Sequence, residues 1–239
     1  TNNKMRVFGG RTSYSSSNFY ADATASFRKA SNYKAGGNKE VSFSPFTKYN
    51  ASLNLGWKLS EEKSLHASMI YDEAKDVGYP ALTMDVSLAR AFIGSLSYEQ
   101  ENLWDVFTDW ESKLYFNNIK HVMDDTTRPN VPIHMDMPGW SDTYGFYSKA
   151  NFEKNTHRLL FKIDGYYNKA LAEMTMYPTN PNEALMFMYT WPDVRTSNLG
   201  LFVEDRISFA NSHLDVSMRG SYHNNYIADD FGLNSNKIF

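Results

Sequence analysis

The stretch YNASLNLGWKL, residues 49–59, decides the fold class. Its apolar and aromatic residues stand at every second position: Tyr49, Ala51, Leu53, Leu55, Trp57 and Leu59. Successive side chains of an extended strand point to opposite faces, so this alternation predicts a β-strand with one apolar and one polar face.

The same alternation recurs along the chain and predicts ten strands in all. The nine others cover residues 7–14, 19–28, 65–72, 92–98, 110–116, 144–152, 159–167, 199–203 and 214–222. Aromatic residues, which favour strands, make up 15% of the chain, with 16 Tyr and 16 Phe. Helical periodicity competes nowhere for long, so the sequence predicts an all-β protein.

The connections between these strands alternate between short and long. The long ones are predicted at residues 29–46, 73–89, 124–142 and 169–196, and they contain all eight prolines, so we expect no proline in a strand. Short turns at one end, long loops at the other and aromatic residues at strand ends are typical of outer-membrane barrels. We therefore predict a transmembrane antiparallel up-and-down β-barrel, of which these are about ten strands; the alternative is a soluble β-sandwich.

Composition excludes several other classes of protein. The net charge is −3, with 24 basic and 27 acidic residues. The basic residues form no stripe along the chain, so we expect no nucleic-acid partner. The absence of cysteine excludes disulfides, thiolate metal sites and a cysteine nucleophile. No nucleophile elbow, phosphate loop or zinc-protease motif occurs, so no enzymatic activity is predicted. A mean hydropathy of −0.53 suits a barrel, whose strands present apolar residues only at alternate positions.

Methionine is the residue type that points to a binding function. Eight of the 11 methionines lie in the predicted long loops or at their mouths: Met84, Met123, Met135, Met137, Met174, Met176, Met186 and Met188. Six of them form Met-x-Met pairs, in which two thioethers share a face of an extended backbone, and soft sulfur ligands select copper(I). His121 shares a face with Met123, and His134 directly precedes Met135.

A second interpretation of the methionines stays open. Methionine is an adaptable packing residue that is common at contact surfaces. The same side chains would then pack on each other, on a plug or on a surface partner protein.

Several segments resemble TonB-dependent receptors. SNLGLFVEDRI (197–207), LDVSMRGSY (214–222) and YADATASFRKASNYKAGG (20–37) are similar to barrel strands of that family. DVGYPALTMD (76–85), IKHVMDD (119–125) and HMDMP (134–138) resemble its copper-receptor branch. The resemblance implies that His121 and Met123 form a His-x-Met copper element, with Met84, His134, Met135 and Met137 as its neighbours.

The resemblance also implies a function and a set of partners. The chain would be part of a barrel of about 22 strands in the outer membrane of a Gram-negative bacterium. It would import a scarce ligand, copper, without any required cofactor. Its partners would be outer-membrane lipid, the TonB energy-transducing system acting through a plug, and a surface lipoprotein.

Two alternatives to copper import remain. One is a receptor for haem, a siderophore or an oligosaccharide, with Trp140, Trp191 and the pairs at residues 174/176 and 186/188 as loop contacts. The other is a non-transporting barrel whose loops bind a surface partner. In each case we expect residues 1–239 to belong to one barrel domain without the plug and the terminal strands, and residues 229–239 to lead to a further strand.

Overall fold

The computed structural model describes residues 2–229, which form one antiparallel sheet of ten strands in sequence order. The strands are β1 (Arg6–Ser15), β2 (Phe19–Ala30), β3 (Phe46–Lys58), β4 (Lys63–Val77), β5 (Asp85–Glu101), β6 (Phe107–Asp124), β7 (Ile133–Lys154), β8 (His157–Pro178), β9 (Met186–Ser208) and β10 (His213–Ile227). The predicted all-β, up-and-down arrangement is confirmed. The segment predicted to follow β10 lies outside the described residues from position 230 onward.

The sheet is open, with β1 and β10 as its two edges. A short 3-10 turn, Gly36–Asn38, lies in the connection between β2 and β3. Within residues 2–229, no helix is long and apolar enough to cross a membrane.

The strands are longer than predicted. The four long connections shrink to residues 31–45, 78–84, 125–132 and 179–185, and β9 alone has 23 residues. The alternation of short turns with longer connections is retained, and the longer connections all lie at the same end of the sheet. The strand extensions were missed because both of their faces carry mixed side chains, so the alternation fades although backbone pairing continues.

The prediction that no proline lies in a strand is wrong. Pro138 lies in β7, Pro178 ends β8 and Pro192 lies in β9. Pairing between β7 and β8 skips Pro138, and the register between β8 and β9 shifts beside Pro192, where Asp193 has a φ of 43°. Such irregularities are where a strand accepts a residue that lacks an N–H group.

The apolar face of the sheet carries two rows of aromatic side chains. The row nearer the long connections, here called the upper aromatic row, comprises Phe8, Phe27, Tyr49, Tyr71, Phe92, Phe116, Tyr144, Tyr167 and, on the last strand, Tyr222. The row nearer the short turns, the lower aromatic row, comprises Tyr14, Phe19, Trp57, Tyr98, Trp110 and Phe152. Six or eight residues separate the rows along a strand, which for tilted strands is a height of roughly 15–20 Å.

The opposite face is polar and internally hydrogen-bonded. Ser68 and Ser95 are bonded through their hydroxyl groups at 2.7 Å, and the Arg219 guanidinium donates to the Asp164 carboxylate at 2.8 Å. A sheet with an apolar, aromatic-bordered face and a polar face is what a membrane barrel requires. The residues discussed next lie at the long-connection end of the polar face.

Candidate functional site

Seven of the 11 methionines lie on one face at the long-connection end of β6–β9. The row nearer the sheet centre contains Met123, Met137, Met174 and Met188. The row nearer the connections contains Met135, Met176 and Met186. We call these two rows the methionine ladder.

Cross-strand pairing assembles the methionine ladder. Met123 pairs with Met137, and Met174 pairs with Met188. Met137 and Met174 face each other in the register set by the flanking pairs of β7 and β8. Side chains at directly opposed positions of an antiparallel sheet have Cβ atoms about 4.5–5.5 Å apart, so neighbouring thioethers can reach a common centre.

The methionine ladder combines shielding with access. Met176 is buried, with 9% of its surface exposed, and the other six methionines are half-buried. Soft ligands in such a position are partly protected from water, yet a solute arriving from the long-connection end can reach them. The three Met-x-Met pairs were predicted in long loops, but the structure places them in the strands β7, β8 and β9.

His121 lies on the same face, one step further from the connections. It pairs with Gly139, which pairs with Ala172, which in turn pairs with Trp191. The two small residues leave a cavity of about 580 Å³, and His121, Met123, Met137 and Trp191 are among its lining residues. A Cβ atom at position 139 would lie 3.3 Å from the Ala172 Cβ, so glycine keeps this space open.

The structure separates His134 and Trp140 from the ladder face. Both lie on the other face of β7, because they are an odd number of residues from Met135 and Met137. The Nδ1 atom of His134 is 3.0 Å from an Asp125 carboxylate oxygen. Trp140 is among the residues that line the cavity, but the centre of its ring lies 5.8 Å from the Lys120 ammonium.

Met84 also lies apart from the methionine ladder. It directly precedes β5, and only 7% of its surface is exposed. Of the six residues predicted to bind metal, the structure brings His121, Met123 and Met137 to one cavity and adds Met135 in the next row. Their role as metal ligands stays a prediction.

The donor set of this site is thioether sulfur with one imidazole. Within the part of the chain that the structure describes, no three His, Cys, Asp or Glu side chains are grouped so that they could hold a metal ion. Thioether and imidazole ligands suit copper(I), whereas calcium and magnesium prefer oxygen.

Sequence reasoning missed a cluster that joins three of the long connections. Arg128 donates from Nε to Asp85 Oδ2 at 3.0 Å and from a terminal nitrogen to the Tyr79 carbonyl at 3.0 Å. Its guanidinium carbon lies 3.8 Å from the centre of the Phe43 ring. We call these residues the arginine clamp.

The arginine clamp is buried and tightly built. Arg128 and Asp85 are 9% and 7% exposed, and the carboxylate is also bonded by the Thr127 hydroxyl at 2.6 Å. A Cβ atom at Gly78 would lie 2.4 Å from the Phe43 backbone, so the first two long connections touch through a glycine. Residues 31–45, 78–84 and 125–132 therefore form one packed unit beside the methionine ladder.

The arginine clamp gives an expected pH dependence. Burial alone would raise the pKa of the Asp85 carboxyl, but hydrogen bonds from Arg128, Thr127 and the Tyr79 amide outweigh it and lower that pKa below its ordinary value of 3.8. Because the pKa of Asp85 is lowered in the folded state, its ionised carboxylate stabilises the clamp fully above pH 3.8. This stabilisation is lost as the pH falls through the folded-state pKa.

We therefore expect amide hydrogen exchange in residues 78–84 to stay slow at pH 5 and to accelerate, after correction for intrinsic rates, only below pH 3.8. An Asp85→Asn variant is the control, and it should show no such acid transition. A transition of equal size in that variant would contradict the assignment to Asp85.

Comparison with known proteins supports the fold. Neither a protein-family model nor a curated protein sequence matches the chain. Solved structures do match: a copper transporter, OprC, superposes with a TM-score of 0.73 at 20% identity over 92% of this chain. The chain has the fold of an outer-membrane transporter barrel.

Two further structures have this barrel fold. They are the outer-membrane transporter YddB from Escherichia coli, with a TM-score of 0.59 at 12% identity, and BauA, the ferric preacinetobactin receptor from Acinetobacter baumannii, with 0.56 at 13%. Each of the three structures matches 92% of this chain. The chain in turn spans 36% of OprC, 34% of YddB and 42% of BauA. The predicted likeness to TonB-dependent receptors is confirmed as one of fold, and none of the three named proteins is an enzyme.

Proposed function

We propose that this chain is part of the barrel wall of a TonB-dependent outer-membrane transporter that imports copper. The observation that carries the proposal is the methionine ladder, with His121 beside it, on the polar face at the long-connection end. In this proposal the polar face lines the lumen, and the strands belong to a larger barrel of about 22 strands.

The orientation follows from the lengths of the connections. Outer-membrane barrels have short turns on the periplasmic side and longer loops outside the cell. The methionine ladder would then be the first soft-ligand surface that copper meets on entering the lumen. A plug pulled by the TonB system would release the metal inward.

The chemistry of the methionine ladder suits transient capture. Thioethers are neutral ligands that bind copper(I) without losing a proton, so binding to them does not depend on their ionisation. Several similar ligands in two rows allow the ion to move between neighbouring sites. The fold shared with the copper transporter OprC, at 20% identity, adds support.

A second candidate is import of an organic ligand or metal chelate. The cavity of about 580 Å³ is within the usual size range of small-molecule sites, and Trp191 at its border is 57% exposed. An exposed indole offers a flat surface for stacking. BauA, a ferric preacinetobactin receptor, has the same fold.

Metal content and ligand affinity of the full-length receptor distinguish the two candidates. The purified receptor in detergent is titrated anaerobically with copper(I) against a chromophoric chelator, and in parallel with haem and a ferric siderophore. We expect tight copper(I) binding and no saturable binding of haem or the siderophore. Saturable binding of an organic ligand without copper would contradict copper import and favour the second candidate.

A further inference from the structure

Cationic side chains border the apolar face at its long-connection end. They occupy the first or second position beyond the upper aromatic row on seven strands: Arg6, Lys29, Lys75, Arg90, Lys120, Lys169 and, below the proline irregularity of β9, Arg195. Each position along one face advances about 7 Å, so all seven lie within roughly 14 Å of that row. We call them the outer basic band.

The outer basic band carries an excess of positive charge. Two carboxylates, Glu73 and Asp142, occupy equivalent positions. Lys75 pairs with Glu73 at 2.9 Å, Arg195 pairs with Asp193 at 2.9 Å, and the Lys169 ammonium lies 3.8 Å from the same Asp193 carboxylate.

Four of the seven cations are left without such a partner. Arg6, Lys29, Arg90 and Lys120 form no ion pair with any carboxylate in residues 2–229. Lys120 instead lies over the Trp140 ring, 5.8 Å from its centre. These four charges are therefore available to an external anion.

The other end of the same face is different. Beyond the lower aromatic row, the equivalent positions of the described strands and turns carry only Lys63 and Lys154 as lysine or arginine. Most of the others are uncharged: Ser16, Ser17, Leu59, Gln100, Thr108 and Ser212. The apolar face is thus bordered by seven lysine or arginine residues at the long-connection end and by two at the other end.

Such an asymmetry fits a membrane whose two surfaces differ in charge. Aromatic rows mark the height of the lipid headgroups, and cations just beyond them lie where headgroup phosphates are found. Arginine and lysine form charge-assisted hydrogen bonds to phosphate oxygens. The seven cations spread from β1 to β9 within the first two positions beyond the upper aromatic row, which suits a layer of anionic headgroups better than one small anion.

We propose that the outer basic band binds the phosphate groups of lipid headgroups in the leaflet on the long-connection side. The proposal rests on the placement of the barrel in an outer membrane, but it is independent of copper. The band anchors the barrel in that leaflet and fixes the height of the long connections above it.

The test compares lipid retention by the full-length receptor and two variants. Lys29→Gln, Arg90→Gln and Lys120→Gln are combined in one variant, and Lys63→Gln and Lys154→Gln in a matched control at the other end. Each protein is equilibrated in mixed micelles with bisphosphorylated lipid A or with phosphatidylcholine. Native mass spectrometry then counts the lipids retained per receptor.

We expect the triple variant to retain lipid A on the order of tenfold more weakly than the parent, and the control to match the parent. Phosphatidylcholine retention should be low and equal in all three proteins. Equal lipid A retention in the triple variant and the parent would overturn the proposal, as would an equal loss in the control.

A second experiment distinguishes failure of this proposal from failure of the proposed function. The parent receptor is inserted into liposomes, and the heat-dependent shift of its electrophoretic mobility reports whether it has inserted as a folded barrel. If the parent inserts but the triple variant retains as much lipid A as the parent, only the proposed role of the outer basic band is contradicted. Failure of the parent to insert contradicts the membrane barrel as well. Neither result depends on copper binding.

Discussion

Replacing Met123, Met137, Met174 and Met188 together by leucine should lower the copper(I) affinity of the full-length receptor by at least about 100-fold. Loss of a group that only hydrogen-bonds to a metal ligand typically costs roughly 10–100-fold in metal affinity, and this change removes a whole row of proposed direct ligands. Leucine is close to methionine in volume, so each exchange should disturb packing little. The measurement is anaerobic copper(I) titration in competition with a chelator.

This substitution also decides between the two interpretations of the methionines. Leucine preserves apolar packing and removes only sulfur, so a purely structural role predicts unchanged copper binding. The matched control is Met69→Leu with Met218→Leu, since both methionines lie on the apolar face and are 47% and 75% exposed. Unchanged affinity in the quadruple variant, or an equal loss in the control, would contradict a metal role for the methionine ladder.

Replacing Arg128 by alanine should loosen three of the long connections at once. The change leaves the buried carboxylate of Asp85 without its partner, and breaking a buried ion pair in this way typically costs about 3–5 kcal/mol. We expect amide hydrogen exchange in residues 31–45, 78–84 and 125–132 to accelerate together at neutral pH, while the strands below the upper aromatic row stay protected. Exchange followed by mass spectrometry measures all these segments in one experiment.

A solvent-exposed ion pair provides the control for Arg128. Arg158 and Glu153 are 3.1 Å apart with side chains 54% and 51% exposed, so Arg158→Ala should cost no more than about 1 kcal/mol. A double variant, Asp85→Ala with Arg128→Ala, should be less perturbed than Arg128→Ala alone because no buried charge remains. Protection that changes in only one of the three connections would show that Arg128 does not couple them.

The part of the fold between the two aromatic rows could be predicted from the sequence. There the sheet has one apolar and one polar face, which constrains residues such as Tyr49, Leu53 and Trp57 to alternate with polar ones. Beyond the upper aromatic row that constraint ends, and residues 133–142 and 186–196 continue as strands without a clear apolar period. Two of the Met-x-Met pairs, 135/137 and 186/188, were the period-2 signal in these segments, although the same segments were predicted to be loops.

The candidate site could be predicted only in part. Residues two apart in sequence, such as His121 and Met123, were placed on one face correctly because strand geometry is local. The register that brings Met137 to Met123, and the pairing of Asp85 with Arg128 across 43 positions, depend on the assembled sheet. Gly78 could be recognised as a turn residue, but its contact with the Phe43 backbone could not.

The proline irregularities of β7 and β9 cross the sheet at the height of the methionine ladder. Each omitted backbone hydrogen bond removes part of what keeps neighbouring strands in a fixed register, so the sheet bends there at lower cost than in the uninterrupted wall below. The row of Met135, Met176 and Met186 lies above this line, whereas His121 lies below it. A bend along this line would change the separation between the outer sulfur atoms and the imidazole, while the pairing of the uninterrupted strands below it would stay the same.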